Sequence, residues 1–198
     1  MAYNINILIY VALQFIAFVF VLVATPIDMF RDPNNKTANS HLCLTLWGIK
    51  WGCSNTSYYS TSEEVWVNCS ERRDRFRAAE GLAVISIVLY GAAFVLGAIL
   101  LFSCPLFRWV CLVLNILGML TVGIVWVAMV LTYYVDEHMY CPKMERYFSY
   151  GAGFALFVIA WCLDIINIVL LMIRCDDQRV GANEHPELLT RPGGEEVK

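Results

Sequence analysis

Cys43-Leu44-Thr45-Leu46-Trp47-Gly48-Ile49-Lys50-Trp51-Gly52-Cys53 is the stretch around which the rest of the chain must be arranged. Two cysteines enclose two Trp-Gly pairs and a partly alternating run. Alternation puts Leu44, Leu46 and Ile49 on one face and Thr45 and Lys50 on the other, provided that Gly48 turns or bulges the chain. Two short strands about that glycine bring the Cys43 and Cys53 Cα atoms to the ~5.5 Å that a disulfide needs. Closing so short a loop contributes roughly 2–3 kcal/mol. A tryptophan-rich loop with free thiols, lying on a membrane surface, is the competing reading. The bridge requires this loop to lie outside the cytosol.

Outward from this stretch the chain is apolar. Of its 198 residues 59% are hydrophobic and 16% charged, against about 25% charged in a soluble domain. Residues 1–27, 81–107 and 109–135 carry no charge, and 147–173 carry only Asp164. A bilayer core about 30 Å thick takes about 20 residues of helix. Spans are therefore expected at 5–24, 81–102, 109–133 and 149–173. This is an all-α membrane fold, a four-transmembrane-helix bundle occupying residues 1–173. A small disulfide-pinned extracellular β-sheet is expected in its first loop. Thr25-Pro26 ends the first span, because proline cannot continue a helix. A cleaved signal peptide is the alternative for that segment. Its apolar run is too long for a typical signal core, and residues 1–4 carry no positive charge. Loops occupy 26–79 and 134–148. Residues 174–198, with Pro186, Pro192 and Gly193-Gly194, read as a disordered cytosolic tail. A net charge of −3 predicts no nucleic-acid partner.

The long loop carries sequons at Asn35, Asn55 and Asn68, and there are none elsewhere. Their clustering with Cys43, Cys53 and Cys69 points to an oxidising, glycosylating compartment. Val65-Trp66-Val67 alternates like a short strand that could pair with the Trp-Gly hairpin. The mixed-charge run 71–77 reads as the solvated start of the second helix. Ala93 with Gly97, and Gly151 with Ala155, make small-residue faces for close helix contact. Cys69 and Cys141 could bridge the two loops, with free thiols or a partner outside the chain as the alternative.

Cys43, Thr45-Leu46-Trp47-Gly48, Lys50 and Cys53 together resemble the signature of the amastins, surface glycoproteins of trypanosomatid parasites. Gly52 departs from it, since that family carries Asp, Glu, Asn or Thr there. More loosely, a Trp-Gly and cysteine-pair loop after the first of four spans is similar to the claudins. The resemblance implies a multi-pass protein of the plasma membrane, a role in host–parasite contact, and no catalytic activity. The implied partners are the lipid bilayer, a host protein or membrane, and further copies of the chain.

Four spans put both termini on one side, and the sequons and cysteines make that side the cytosol. The positive charges argue the other way, because Arg72, Arg73, Arg75 and Arg77 lie close to a span end in the outward loop.

Asp164 is the sharpest single position for chemistry. A carboxylate near the bilayer core costs about 2.5–3.5 kcal/mol on insertion scales, so it must face the bundle or a wet cavity. Asn167 shares its helix face, and Asn115 and Gln14 are the polar groups on other spans. Asp164 belongs either to a proton or cation path or to polar glue between helices. A single acid without broken helices favours glue. Asp136, Glu137, His138, Cys141 and His41 are metal-ligand types, but their spacing matches no zinc pattern. No cofactor motif and no nucleophile set stands out. Cys104 and Cys175 lie at membrane borders, where cysteines are palmitoylated or simply buried. Glu184, Leu188 and Leu189 form an acidic dileucine sorting pattern. The function classes left are surface contact or adhesion, ion transport around Asp164, and side-by-side structural assembly. An enzyme is the least supported.

Overall fold

The structure, a computed structural model, describes residues 5–33, 42–100, 107–136 and 141–184. Four helices are long and apolar enough to cross a membrane: α1 (Ile5–Ala24), α3 (Ser70–Leu100), α4 (Phe107–Tyr134) and α5 (Ala152–Glu184). Each turns one stripe inward at three- and four-residue spacing, the repeat that keeps side chains on one helix face. On α1 the stripe is Tyr10, Gln14, Ala17, Val21 and Ala24; on α5 it is Phe157, Ala160, Asp164, Asn167 and Leu171. The other faces expose Ile9, Val88, Leu120 and Ile166, side chains suited to lipid. Packing runs α1 on α5, α5 on α4, α4 on α3 and α3 on α1, a closed ring of four.

Two helices overrun the spans expected of them. The charged run 71–77 already belongs to α3, and α5 continues past Ile173 to Glu184. Residues 174–184 are thus helical, where the composition reads as irregular tail. The reason is propagation: once a turn has formed, each added residue gains a hydrogen bond without a new nucleation cost. The small-residue face of α5 also differs from the expected one. Ala155 is exposed, and the close approach is made by Gly151 and Gly153, whose N–H groups donate to the Met29 and Asp28 carbonyls at 2.7 and 2.9 Å. A Cβ on Gly151 would overlap the Asp28 carbonyl oxygen.

At one end of the bundle lies a five-stranded antiparallel sheet in the order β4-β3-β2-β1-β5. Its strands are β1 (Phe30–Arg31), β2 (Leu42–Leu44), β3 (Gly48–Trp51), β4 (Ser60–Thr61) and β5 (Ser149–Tyr150). The β2–β3 hairpin pairs Leu42 with Trp51, Cys43 with Lys50 and Leu44 with Ile49. Strand β1 pairs with β2 on one side and with β5 on the other. Both loops therefore share one sheet. Its buried side, Phe30, Leu44 and Leu46, merges with Phe76, Met129, Met144 and Phe157 into one apolar core. Tyr133, Tyr150 and Phe154 stack at 4.4 and 4.3 Å along that seam. About fifty loop residues would bury little core alone, so the sheet borrows the core of the bundle.

Val65-Trp66-Val67 is not a strand. Ser62–Val65 forms a short helix, α2, and the strand beside β3 is Ser60–Thr61. Thr61 accepts from the Glu64 N–H, while the Glu64 carboxylate accepts from the Thr61 N–H at 3.2 Å. This capping box starts a helix where alternation implies extension. Thr45 and Lys50 are buried as well, rather than turned to solvent. The core tolerates them because Thr45 Oγ1 donates to the Gly48 carbonyl at 3.0 Å and Lys50 Nζ to the Pro26 carbonyl at 3.3 Å.

Candidate functional site

Two places concentrate the chemistry-bearing residues, and the first is the sheet. The Thr45 N–H donates to the Gly48 carbonyl at 2.9 Å, which closes a tight turn. Gly48 has φ +149°, and a Cβ there would run into the Ser60 carbonyl; only glycine fits. Trp47 is half-buried against the core. Trp51 is 51% exposed, Tyr59 71% and Tyr58 42%. Trp51 and Tyr59 meet edge to face at 5.7 Å, and the Lys50 ammonium sits 4.4 Å from the Tyr58 ring centre. The two Trp-Gly pairs, alike in sequence, therefore divide into an inward and an outward tryptophan.

Cys43 and Cys53 are bridged with Cα atoms 5.3 Å apart, and Cys69 and Cys141 with Cα atoms 6.0 Å apart. Gly52 sits in the turn between strand and bridge at φ +85°, with open space where a Cβ would lie. That backbone suits glycine, and among other residues Asn and Asp tolerate it best. Asn55 is exposed between Trp51 and Tyr58. Its Oδ1 accepts from the Ser57 hydroxyl at 3.2 Å, so the two polar ends of that sequon touch. Asn68 is exposed just before α3, while Asn35 lies outside the described residues. Glu64 has its carboxyl held below the usual glutamate range, first by the Ser60 hydroxyl and then by the Thr61 N–H.

Arg72 is buried behind this sheet. It donates to the carbonyls of Cys141 and Pro142 at 3.4 and 3.1 Å and stacks 4.9 Å from the Trp66 ring centre. Part of the basic cluster near the span end is thus spent on tying the two loops together. Asp136 Oδ1 accepts from the Lys143 N–H at 2.6 Å, so this metal-ligand type holds the second loop. Glu137, His138 and His41 lie outside the described residues.

The second place is mid-bundle. Asp164 is 0% exposed, and neither carboxyl oxygen has a hydrogen-bond partner among the described residues. The Tyr90 hydroxyl faces it, short of hydrogen-bond geometry. Asn115 and Gln14 bind elsewhere. Asn115 Nδ2 donates to the Tyr10 hydroxyl at 2.9 Å and to the Cys111 carbonyl at 2.7 Å. Asn167 Nδ2 donates to Gln14 Oε1 at 2.7 Å. Tyr10 and Tyr90 escape a hydropathy reading because tyrosine counts there as nearly apolar. Their one sequence signal is inward register, with small residues opposite: Gly97 makes room for Tyr10 and Gly118 for Tyr90. Cys104, Leu188 and Leu189 lie outside the described residues. The backbone places Cys175 and Glu184 on the last turns of α5.

Residues 15–171 match the family model described as amastin surface glycoprotein. No curated protein is similar enough to match the chain.

Proposed function

The chain belongs to the amastin family of surface glycoproteins and is a multi-pass membrane protein, and from that premise we propose that its loop sheet is a contact surface for another cell. One observation carries this reading. Trp51 and Tyr59, both exposed, pair edge to face on a strand and loop stapled by Cys43–Cys53. Large exposed rings on a rigid frame lose little entropy on docking and are the residue types that dominate binding hot spots. The matching orientation puts the sheet outside the cell, both termini in the cytosol, and glycans on Asn55 and Asn68 at the rim of the contact. The partner is a protein or membrane of the host surface.

Full-length protein in nanodiscs should bind host-cell surfaces. The double variant Trp51→Ser/Tyr59→Ser should lower that affinity about thirtyfold or more while its unfolding curve stays unchanged. Equal binding by wild type and variant defeats the reading. A glycosidase should reduce the apparent mass of the mature protein. No such shift, together with labelling of Cys43 by a cytosolic thiol reagent, defeats the orientation.

A further inference from the structure

We propose that Asp164, Asn115 and Asn167 form a binding site for one monovalent alkali cation inside the bundle. The argument begins with the amide groups. The Asn115 donors are committed to the Tyr10 hydroxyl and the Cys111 carbonyl, and the Asn167 donor to Gln14. Both amides therefore present their oxygens, and neither Oδ1 has a donor among the described residues. Asp164 Oδ1 and Oδ2 add two more unpartnered oxygens. All three side chains are at most 1% exposed.

Asp164 and Gly118 share one level of the bundle. A Cβ on Gly118 would lie 3.4 Å from Asp164 Oδ2. Asn115 is one turn from Gly118 on α4, and Asn167 is one turn from Asp164 on α5, each about 5 Å along the axis. Both lie on the same side of that level. A buried acceptor without a donor costs about 1–3 kcal/mol, more when charged. The Gln14 amide nitrogen and the Tyr90 hydroxyl are also without partners there among the described residues, but the acceptor oxygens outnumber them, and oxygens are what a hard cation takes as ligands.

The charge of the guest follows from the charge of the host. Asp164 is the only acid in the four spans. The nearest basic group on α4, Arg108, donates to the Leu171 carbonyl at 2.6 Å and lies about 15 Å away along the helix. One carboxylate neutralises a single positive charge, whereas a divalent ion would leave net charge in a low-dielectric core. The other titratable groups facing the site are Tyr90 from α3, Tyr10 from α1 and Cys111 from α4. Each is neutral in its ordinary state.

The site is also one-sided. Toward the termini the polar groups continue through Gln14, Tyr10 and Arg108. Toward the sheet, past the Ser86–Thr121 hydrogen bond of 2.9 Å, the core is Val122, Val125, Met129, Phe157 and Ala160. This arrangement binds an ion from the terminus side and does not conduct one.

The test uses full-length protein in neutral-lipid nanodiscs. Melting is compared in lithium, sodium, potassium and choline chlorides at equal ionic strength. One alkali cation should raise Tm saturably, by about 3–6 °C at ten times its dissociation constant, and choline should not. Lower pH should weaken the effect, since protons compete for the same oxygens. Asp164→Asn should abolish it, and Asn115→Ala should weaken apparent affinity tenfold or more. Should Asp164→Asn fail to fold, infrared spectroscopy of the wild type decides. The carbonyl band of a buried protonated carboxyl should vanish as the cation saturates. Equal melting in all four salts, a cation shift retained in Asp164→Asn, or a band that persists at saturation overturns the proposal.

Discussion

The sheet and the middle of the bundle both bury polar side chains, and they treat them in opposite ways. At the sheet three buried side chains find partners: Thr45 donates to Gly48, Lys50 to Pro26, and Asp28 pairs with Arg31 at 3.0 Å. In the bundle, Asp164, Asn115 and Asn167 keep oxygens without donors. Satisfied polar groups are what a small, core-poor structure needs in order to hold one shape. Unsatisfied ones in lipid surroundings raise the energy of the fold and point to a task other than stability. The contrast places satisfied polar packing at the sheet and unpartnered oxygens in the core, among the described residues.

The covalent pins give the largest expected effects. Cys69–Cys141 closes a separation of 72 residues and Cys43–Cys53 one of 10. Loop-closure entropy then predicts losses of about 4 and about 3 kcal/mol when each pair is changed to serine. Denaturant unfolding in micelles measures both. If the short loop proves the costlier to lose, strain or residual structure outweighs loop closure in the sheet. Next in size is Gly48→Ala, expected to cost on the order of 2 kcal/mol through a strained φ and a clash with Ser60. A neutral result would show that the β3–β4 edge gives way and that the sheet is not rigid.

A matched pair of substitutions tests the contrast itself. Thr45→Val should cost about 1–2 kcal/mol, since it strips two hydrogen bonds from the turn. Asp164→Leu, measured in choline chloride, should instead raise stability by about 1–2 kcal/mol, because it removes a buried carboxyl whose oxygens have no hydrogen-bond partner among the described residues. Destabilisation by both changes would return Asp164 to the role of polar glue. The smallest effects belong to the capping box. Thr61→Ala should cost about 1 kcal/mol. Because the folded-state pKa of Glu64 is depressed, its contribution is present above the ordinary value of about 4.3. It is lost as pH falls through the lower folded value. Acid titration of α2 by hydrogen exchange should show that loss, and Glu64→Gln should flatten it.

Much of this was legible in the residues. Long uncharged runs admit only lipid-facing helices, and the paired cysteines with Trp47-Gly48 carry the family signature. The Thr61–Glu64 capping box was legible too, but alternation at Val65–Val67 read more strongly. Local pattern cannot weigh a cap that lies outside the window it scores.

The sequence by itself determined the four-helix membrane class, the loop that carries the cysteines and sequons, and the inward face of Asp164. Each depends on local composition or on a period that any helix must obey. Only the tertiary structure decided the rest. Strand β5 joins β1 across more than half the chain, Trp47 turns inward while Trp51 turns out, and Asn115 and Asn167 spend their donors on Tyr10 and Gln14. Those outcomes depend on which residues from distant segments arrive at one place. No local period encodes that, because packing the four helices into a single ring selects the neighbours.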